Sequence, residues 1–278
     1  MYFIDTHTHI DMLKKLTPEE AVARSQNEGV KYMINVGSSL QGSKKSVEFA
    51  GKFSNIFASV GVHPHYVRNF GNKEIKILES LLQSSPNAGD KNDRKRNVKV
   101  VAVGETGFDF YRNFSPRIDM EKAFTAHIEL ALEYDIPVII HDRDAHRQTL
   151  EVVKRYTSNS NFRAVVHCFS GDTNFAMQCL DLGLYISFTG VITFPNAKSV
   201  LKAVEKVPLE RLFIETDAPF LAPQAVRGKE NYPGYVRYVA EKIAEIKNLS
   251  LEEVADITSK NAEKFFSLNQ DDHLNNNE

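Results

Sequence analysis

Six side chains able to hold a metal ion punctuate this chain, and each closes or nearly closes a short apolar run. His7 and His9 end FIDTHTH (3–9), Glu105 ends VKVVAVGE (98–105), His141 ends IPVIIH (136–141), His167 ends RAVVH (163–167) and Asp217 ends LFIETD (212–217). In an extended segment, residues two apart point to the same side, so His7 and His9 form a chelating pair at one strand end. One His-x-His pair is a weak signal, because surface strands carry such pairs by chance. Four imidazoles and two carboxylates at the ends of separate apolar runs are a stronger one, and together they describe a two-metal hydrolytic site. The mixture of nitrogen and oxygen donors suits Zn and Mn more naturally than a pure Mg site, with availability deciding among the three.

Ligands delivered from many strand ends require a barrel or a closed sheet to bring them together. Apolar β-type runs fall at 3–7, 30–36, 56–62, 98–104, 136–141, 163–168, 185–190 and 212–217, separated by stretches of helical character. PEEAVARSQNEG (18–29) opens with acidic residues and stops at Gly, and 117–135 carries apolar residues at helical spacing. Further helices are expected at 234–247 and 251–266. Eight strand-helix units predict an α/β fold, a TIM-type (β/α)8 barrel forming a single domain over 1–268, with 269–278 as a polar, disordered tail. A length of 278 residues at 42% hydrophobic content suits such a barrel, for which about 250 residues is typical. Strict alternation would put Val101, Val103 and Glu105 on one face, likewise Val165 with His167, and Phe213 with Glu215 and Asp217. Barrel chemistry sits at the mouth formed by the loops after the strands, where all six candidates fall.

Composition narrows the setting. A formal net charge of −2 provides no global basic field for duplex nucleic acid, so phosphate recognition has to be local. Two cysteines, Cys168 and Cys179, are too few for a disulfide framework, and the N-terminus reads as no signal peptide, which points to a cytoplasmic location. No run approaches a membrane span. Cys168, alternating outward from His167, reads as a small buried apolar residue.

The segments FIDTHTHID, VGVHPH, VGETGFDFYR, IIHDRDAH, VVHCFSG and FIETDAPFLAP followed by RGKENYP resemble those of the TatD family of metal-dependent deoxyribonucleases, within the amidohydrolase superfamily. The resemblance runs from residue 3 to about 265. It implies a TIM-type barrel holding two divalent ions (Zn, Mn or Mg) and hydrolysing phosphodiesters at nucleic-acid ends. By position, His7, His9, Glu105, His141, His167 and Asp217 match the family's metal ligands. The resemblance gives one ion His7, His9 and Asp217, the other His141 and His167, and makes Glu105 the bridge. Glu105 also stands where many superfamily members carry a modified lysine, which favours the TatD branch. The segment QSSPNAGDKNDRKRN (83–97), with Arg94, Lys95 and Arg96, lies outside the shared pattern and reads as a solvated loop.

Phosphodiesters resist water, and paired ions can activate it, hold the substrate oxygen and offset developing charge. Asp217 is placed both to ligate and to accept a proton from the attacking water, making it and Glu105 the catalytic candidates. Glu215 either orients a ligand or is a buried carboxylate satisfied by backbone or histidine. His63 reads as a substrate-phosphate contact or a packed loop histidine, and His65 as loop structure. Arg112 and Arg143 either clamp phosphate or pair with Asp109, Asp142 or Asp144, and Arg227 and Lys229 are candidate contacts for a further phosphate. Phe108, Phe110 and Tyr111 are candidates to stack a terminal base, with core packing the usual role for such residues. His127 reads as structural. The expected activity is a metal-dependent, exonucleolytic deoxyribonuclease acting on single-stranded or frayed DNA ends, with no membrane association and no assigned oligomeric state. The alternatives are a deacylase acting on aminoacyl-tRNA and a non-catalytic quality-control binding protein.

Overall fold

The computed structural model describes residues 1–83 and 99–268. Arg94, Lys95, Arg96 and the 269–278 tail lie outside the described residues. Eight parallel strands run in the order β1-β2-β3-β4-β5-β6-β7-β8. They are β1 (Phe3–Thr8), β2 (Val30–Val36), β3 (Ile56–Val60), β4 (Val100–Asp109), β5 (Val138–Arg143), β6 (Ala164–Val166), β7 (Tyr185–Phe188) and β8 (Leu212–Ile214). The helices between and after them are α1 (Pro18–Asn27), α2 (Leu40–Lys52), α3 (Asn72–Gln83), α4 (Arg117–Glu133), α5 (His146–Lys154), α6 (Thr173–Asp181), α7 (Lys198–Lys206), α8 (Val236–Lys247) and α9 (Leu251–Phe266). The expected TIM-type barrel is therefore present. Among the described residues no helix is long and apolar enough to cross a membrane.

Alternation along the strands divides the core in two. Met33, Ala58, Val60, Val138, Ile140, Val166 and Ile186 face the helices in one buried cluster. Ile4, Ile34, Phe57, Val101, Ile139, Val165 and Phe213 fill the barrel and meet Phe265 and Phe266 of α9, which closes its floor. Each of the larger of these buried apolar side chains contributes roughly 1.5–3 kcal/mol. α9 is fixed at its start by a reciprocal cap between Ser250 and Glu253, and α1 by one between Thr17 and Glu20.

The expected shared face of Val101, Val103 and Glu105 is corrected. Val103 belongs to the outer cluster and Val101 to the inner one. Pairing shifts register between Ala58 and Ser59 on the β3 side and between Val103 and Thr106 on the β5 side, so simple parity fails along β4. Glycines make this path possible. Gly104 and Gly107 have φ of 133° and 134°, and a Cβ on Gly104 would stand 2.5 Å from the Ile139 carbonyl oxygen. Glu105, between them, turns into the mouth.

The seam between first and last strands is made near the mouth. Thr8 and Ala218 form an isolated parallel bridge, His9 N–H donates to Ala218 O at 2.7 Å and Asp217 N–H to His7 O at 2.9 Å. Just below, the buried Asp5 carboxylate accepts from Thr216 N–H at 2.9 Å and from its hydroxyl. Burial pushes the Asp5 carboxyl up to about 8 against the pull of these hydrogen bonds.

His127 of α4 is wholly structural. Its Nδ1–H donates to Ala123 O at 2.7 Å, leaving Nε2 to accept Val62 N–H at 3.0 Å, one residue before His63. Burial holds the ring neutral, with its pKa lowered from 6.5 to about 4. The unfolded chain thus binds this proton more readily, so the stability His127 confers is complete above about pH 6.5 and is lost as pH falls towards about 4, up to roughly 3 kcal/mol. We expect NMR titration to find the His127 ring neutral at pH values where exposed histidines are charged, and urea unfolding of the chelated protein to show this loss, reduced in His127→Gln. An ordinary titration near 6.5 would refute the assignment.

Candidate metal centre

His7 and His9 leave β1 on the same side, as their spacing requires, with Nε2 atoms 3.2 Å apart. Asp217 faces them from the β8 end, its Oδ1 lying 3.8 Å from His7 Nε2 and 3.5 Å from His9 Nε2. Glu105 Oε2 completes this group at 3.7 Å and 3.8 Å from the same nitrogens. Donors around a tetrahedral ion with bonds of about 2.1 Å lie about 3.4 Å apart, so the spacing fits a divalent cation. The other oxygen of Glu105, Oε1, lies 2.9 Å from His141 Nδ1 and 3.0 Å from His167 Nε2, and those nitrogens are 3.4 Å apart. One carboxylate thus serves two donor groups.

Each imidazole's outer nitrogen decides what its inner one can do. His9 Nδ1–H donates to Val36 O at 2.8 Å, which reserves Nε2 for the cavity. His141 Nε2 faces Asp109 Oδ2 at 3.3 Å, so Nδ1 turns inward. Glu215 Oε1 lies 3.4 Å from His167 Nδ1 and accepts from Cys168 N–H at 2.6 Å, placing Glu215 where it can orient His167. His7 Nδ1 is buried without a hydrogen-bond partner among the described residues.

His63 is arranged the opposite way. Its Nδ1 accepts from His65 N–H at 3.1 Å, and burial keeps its pKa well below 6.5. The proton of this neutral ring therefore sits on Nε2, which faces Glu105 Oε1 at 3.4 Å. His63 presents a hydrogen-bond donor where its neighbours present lone pairs. His65 Nε2 meets Asp109 Oδ2 at 2.8 Å, so His65 and His141 share that carboxylate.

The carboxylates of the cluster favour protons on two of its imidazoles. Burial opposes charge on His9, yet the hydrogen bond to Asp217 and the charges of Glu105 and Asp217 push it up to about 9. Burial likewise opposes the His167 cation, but Glu105 raises it well above the usual value. For His7, burial and the neighbouring His167 act together and lower it well below 6.5. Burial would raise Glu105, but the His63 and His167 rings keep it well below the carboxylate range. A divalent ion substitutes for such shared protons, so the donor set fits metal both in spacing and in charge.

His9, His63, His65, Glu105, His141, His167 and Asp217 line a cavity of about 230 Å3 with Met12, Ser38, Tyr66, Cys168 and Phe220. Cys168 corrects the sequence reading. The chain leaves β6 at Val166 and turns left-handed at Cys168, φ 45°, so alternation no longer applies and the thiol borders the cavity 3.9 Å from Thr189 Oγ1. Arg112, Arg143, Arg227 and Lys229 do not line this cavity. The Arg112 and Arg143 guanidiniums lie 5.5 Å and 5.1 Å from the centre of the exposed Tyr111 ring, while Arg227 lies over Phe194. Phe108 is buried, and Arg117 covers Phe110 at 3.9 Å, leaving Tyr111 as the available member of that trio. Sequence reasoning missed Asp5, whose position two before His7 was its only signal, and Phe220, inside a segment quoted for other residues, and it weighed Asp109 only as a partner of arginine rather than of His65 and His141.

An eight-stranded parallel barrel with histidines and carboxylates converging at its mouth defines the class of barrel metal-dependent hydrolases. A family model described as TatD related DNase matches residues 4–267, and the chain belongs to this TatD family. It is 35% identical over 266 residues to the uncharacterized metal-dependent hydrolase YabD of Bacillus subtilis (strain 168), covering 95% of this chain and 99% of that protein. It is 34% identical over 255 residues to the 3'-5' ssDNA/RNA exonuclease TatD of Edwardsiella piscicida, covering 90% and 93%. The solved structure of YJJV, a TatD homologue from Escherichia coli K12, superposes with a TM-score of 0.85 at 28% identity over 95% of this chain and 98% of that one.

Proposed function

We propose that this protein is a nuclease that hydrolyses phosphodiester bonds at single-stranded or frayed DNA ends, using two divalent ions (Zn, Mn or Mg). The observation that carries the reading is Glu105, whose Oε2 faces His7, His9 and Asp217 while its Oε1 faces His141 and His167. On this reading His7, His9 and Asp217 hold one ion, His141 and His167 the other, and Glu105 both. When bound, the ions supply Lewis-acid stabilisation of the phosphoryl oxygens and lower the pKa of water.

The protein's own groups do the rest. His63 donates its Nε2–H to a phosphate oxygen, and Asp217 accepts the proton of the attacking water. Asp109, Glu215 and the Val36 carbonyl keep the imidazoles aimed. Preference for single strands rests on the mouth. Tyr66, Tyr111 and Phe114 are exposed there and offer rings on which a base can stack, and the Arg112 and Arg143 guanidiniums near Tyr111 are the proposed phosphate contacts. The name of the Edwardsiella relative supports a single-strand substrate.

The test offers labelled single strands, frayed duplex, closed circular duplex and aminoacylated tRNA in parallel to the metal-loaded protein. Single strands and frayed ends should be trimmed from their termini faster than duplex interiors. Rapid nicking of circular duplex without terminal products would overturn the end preference. Turnover of aminoacylated tRNA alone would replace the phosphodiester reading by a deacylase, and no turnover at all would leave a binding protein.

A further inference from the structure

A second cavity, about 790 Å3, opens beside the catalytic one, and Met12 and Phe220 belong to the walls of both. We infer that it holds the nucleotide adjoining the scissile phosphate, with that nucleotide's base stacked on Phe220. This rests on the strand-end nuclease reading and extends it to a particular side chain.

Phe220 is 50% exposed, and its ring meets the proposed ligand His9 edge-on with centroids 6.2 Å apart. Its backbone is nevertheless fixed. Phe220 N–H donates to Asp217 O at 2.9 Å, and the buried Asn231 amide donates to both Phe220 O at 2.5 Å and Thr216 O at 2.8 Å. A half-exposed aromatic side chain on a fixed backbone at a cavity edge leaves apolar area for a ligand to cover, and suits a stacking partner with little ordering entropy to lose.

The surrounding charges match a nucleotide. Lys14, Lys15 and Lys229 line the cavity, which gives the sequence candidate Lys229 a place. Of the two acids there, Glu230 is occupied by the backbone N–H groups of Lys14 and Lys15 at 2.9 Å and 2.8 Å. Asp11 Oδ1 is buried with no hydrogen-bond partner among the described residues, an acceptor suited to a base amino group or a sugar hydroxyl. Excess positive charge thus lies beyond the ring, where the next backbone phosphate would fall, while the shared wall keeps the base within reach of the metal cluster.

The experiment crosses Phe220 variants with oligonucleotides bearing an abasic residue on one or the other side of the scissile bond. On the intact single strand Phe220→Ala should raise KM about 5- to 100-fold, and Phe220→Trp should restore it. The Ala effect should disappear for one of the two abasic strands, because the partner of the ring is then already missing. Phe220→Leu keeps apolar bulk and should behave as Ala does, which separates stacking from collapse of the loop. Unchanged KM in Phe220→Ala and Phe220→Leu, or an equal loss on intact and both abasic strands, overturns the inference while leaving the nuclease reading in place. Wild-type protein that cleaves no oligonucleotide overturns both.

Discussion

Asp217→Asn is expected to lower kcat by at least about 100-fold without unfolding the barrel. The substitution preserves shape and removes the charge that faces His7 Nε2 and His9 Nε2 at 3.8 Å and 3.5 Å. It also removes the proposed acceptor for the proton of the attacking water. Both roles weaken together, so bound metal should fall or redistribute as kcat does. His63→Ala is the contrasting variant, since its inward Nε2–H is a donor rather than a lone pair. A ring that binds substrate and transition state alike raises KM on removal and leaves kcat nearly unchanged, with normal metal content. A fully active Asp217→Asn protein would remove Asp217 from the site, and metal loss in His63→Ala would make His63 a ligand.

Stripping the divalent ions should abolish turnover altogether, and Mn, Zn or Mg should restore it. Without cations the inward nitrogens of His9, His141 and His167 share protons with Glu105 and Asp217, leaving nothing with which to polarise a phosphoryl oxygen. Elemental analysis across the stripping and add-back series links activity to the number of ions bound. Undiminished hydrolysis in protein shown to contain no metal would defeat the two-metal assignment.

Much of this centre was legible because its donors are few in kind and end strands. The two-residue spacing of His7 and His9 survives folding directly, and Val165 with His167 keeps the expected parity. Where the backbone departs from a regular strand, parity misleads. Val103 faces the helices because of register shifts along β4, and Cys168 borders the cavity because the chain has already turned out of β6. The groups that set the imidazole tautomers were legible least. Val36 contributes a backbone oxygen, which no residue type advertises, and Asp109 reaches His65 and His141 across sequence separations that have no local pattern. Phe220 carries no sequence signal of its own, since exposure depends on what neighbouring loops leave uncovered.

The seam at Thr8 and Ala218 gives the centre a history as well as a geometry. Glu105, His141 and His167 come from three successive strands and can converge in a growing chain before the eighth strand has been made. His7 and His9 emerge first of all, yet their carboxylate partner Asp217 is more than two hundred residues away. On the proposed assignment, one half of the metal centre draws on strands before the last and the other half spans the closure of the barrel. An ion held there as proposed would act as a clasp between the beginning and the end of the fold, and a chain halted before Asp217 lacks the carboxylate of that half.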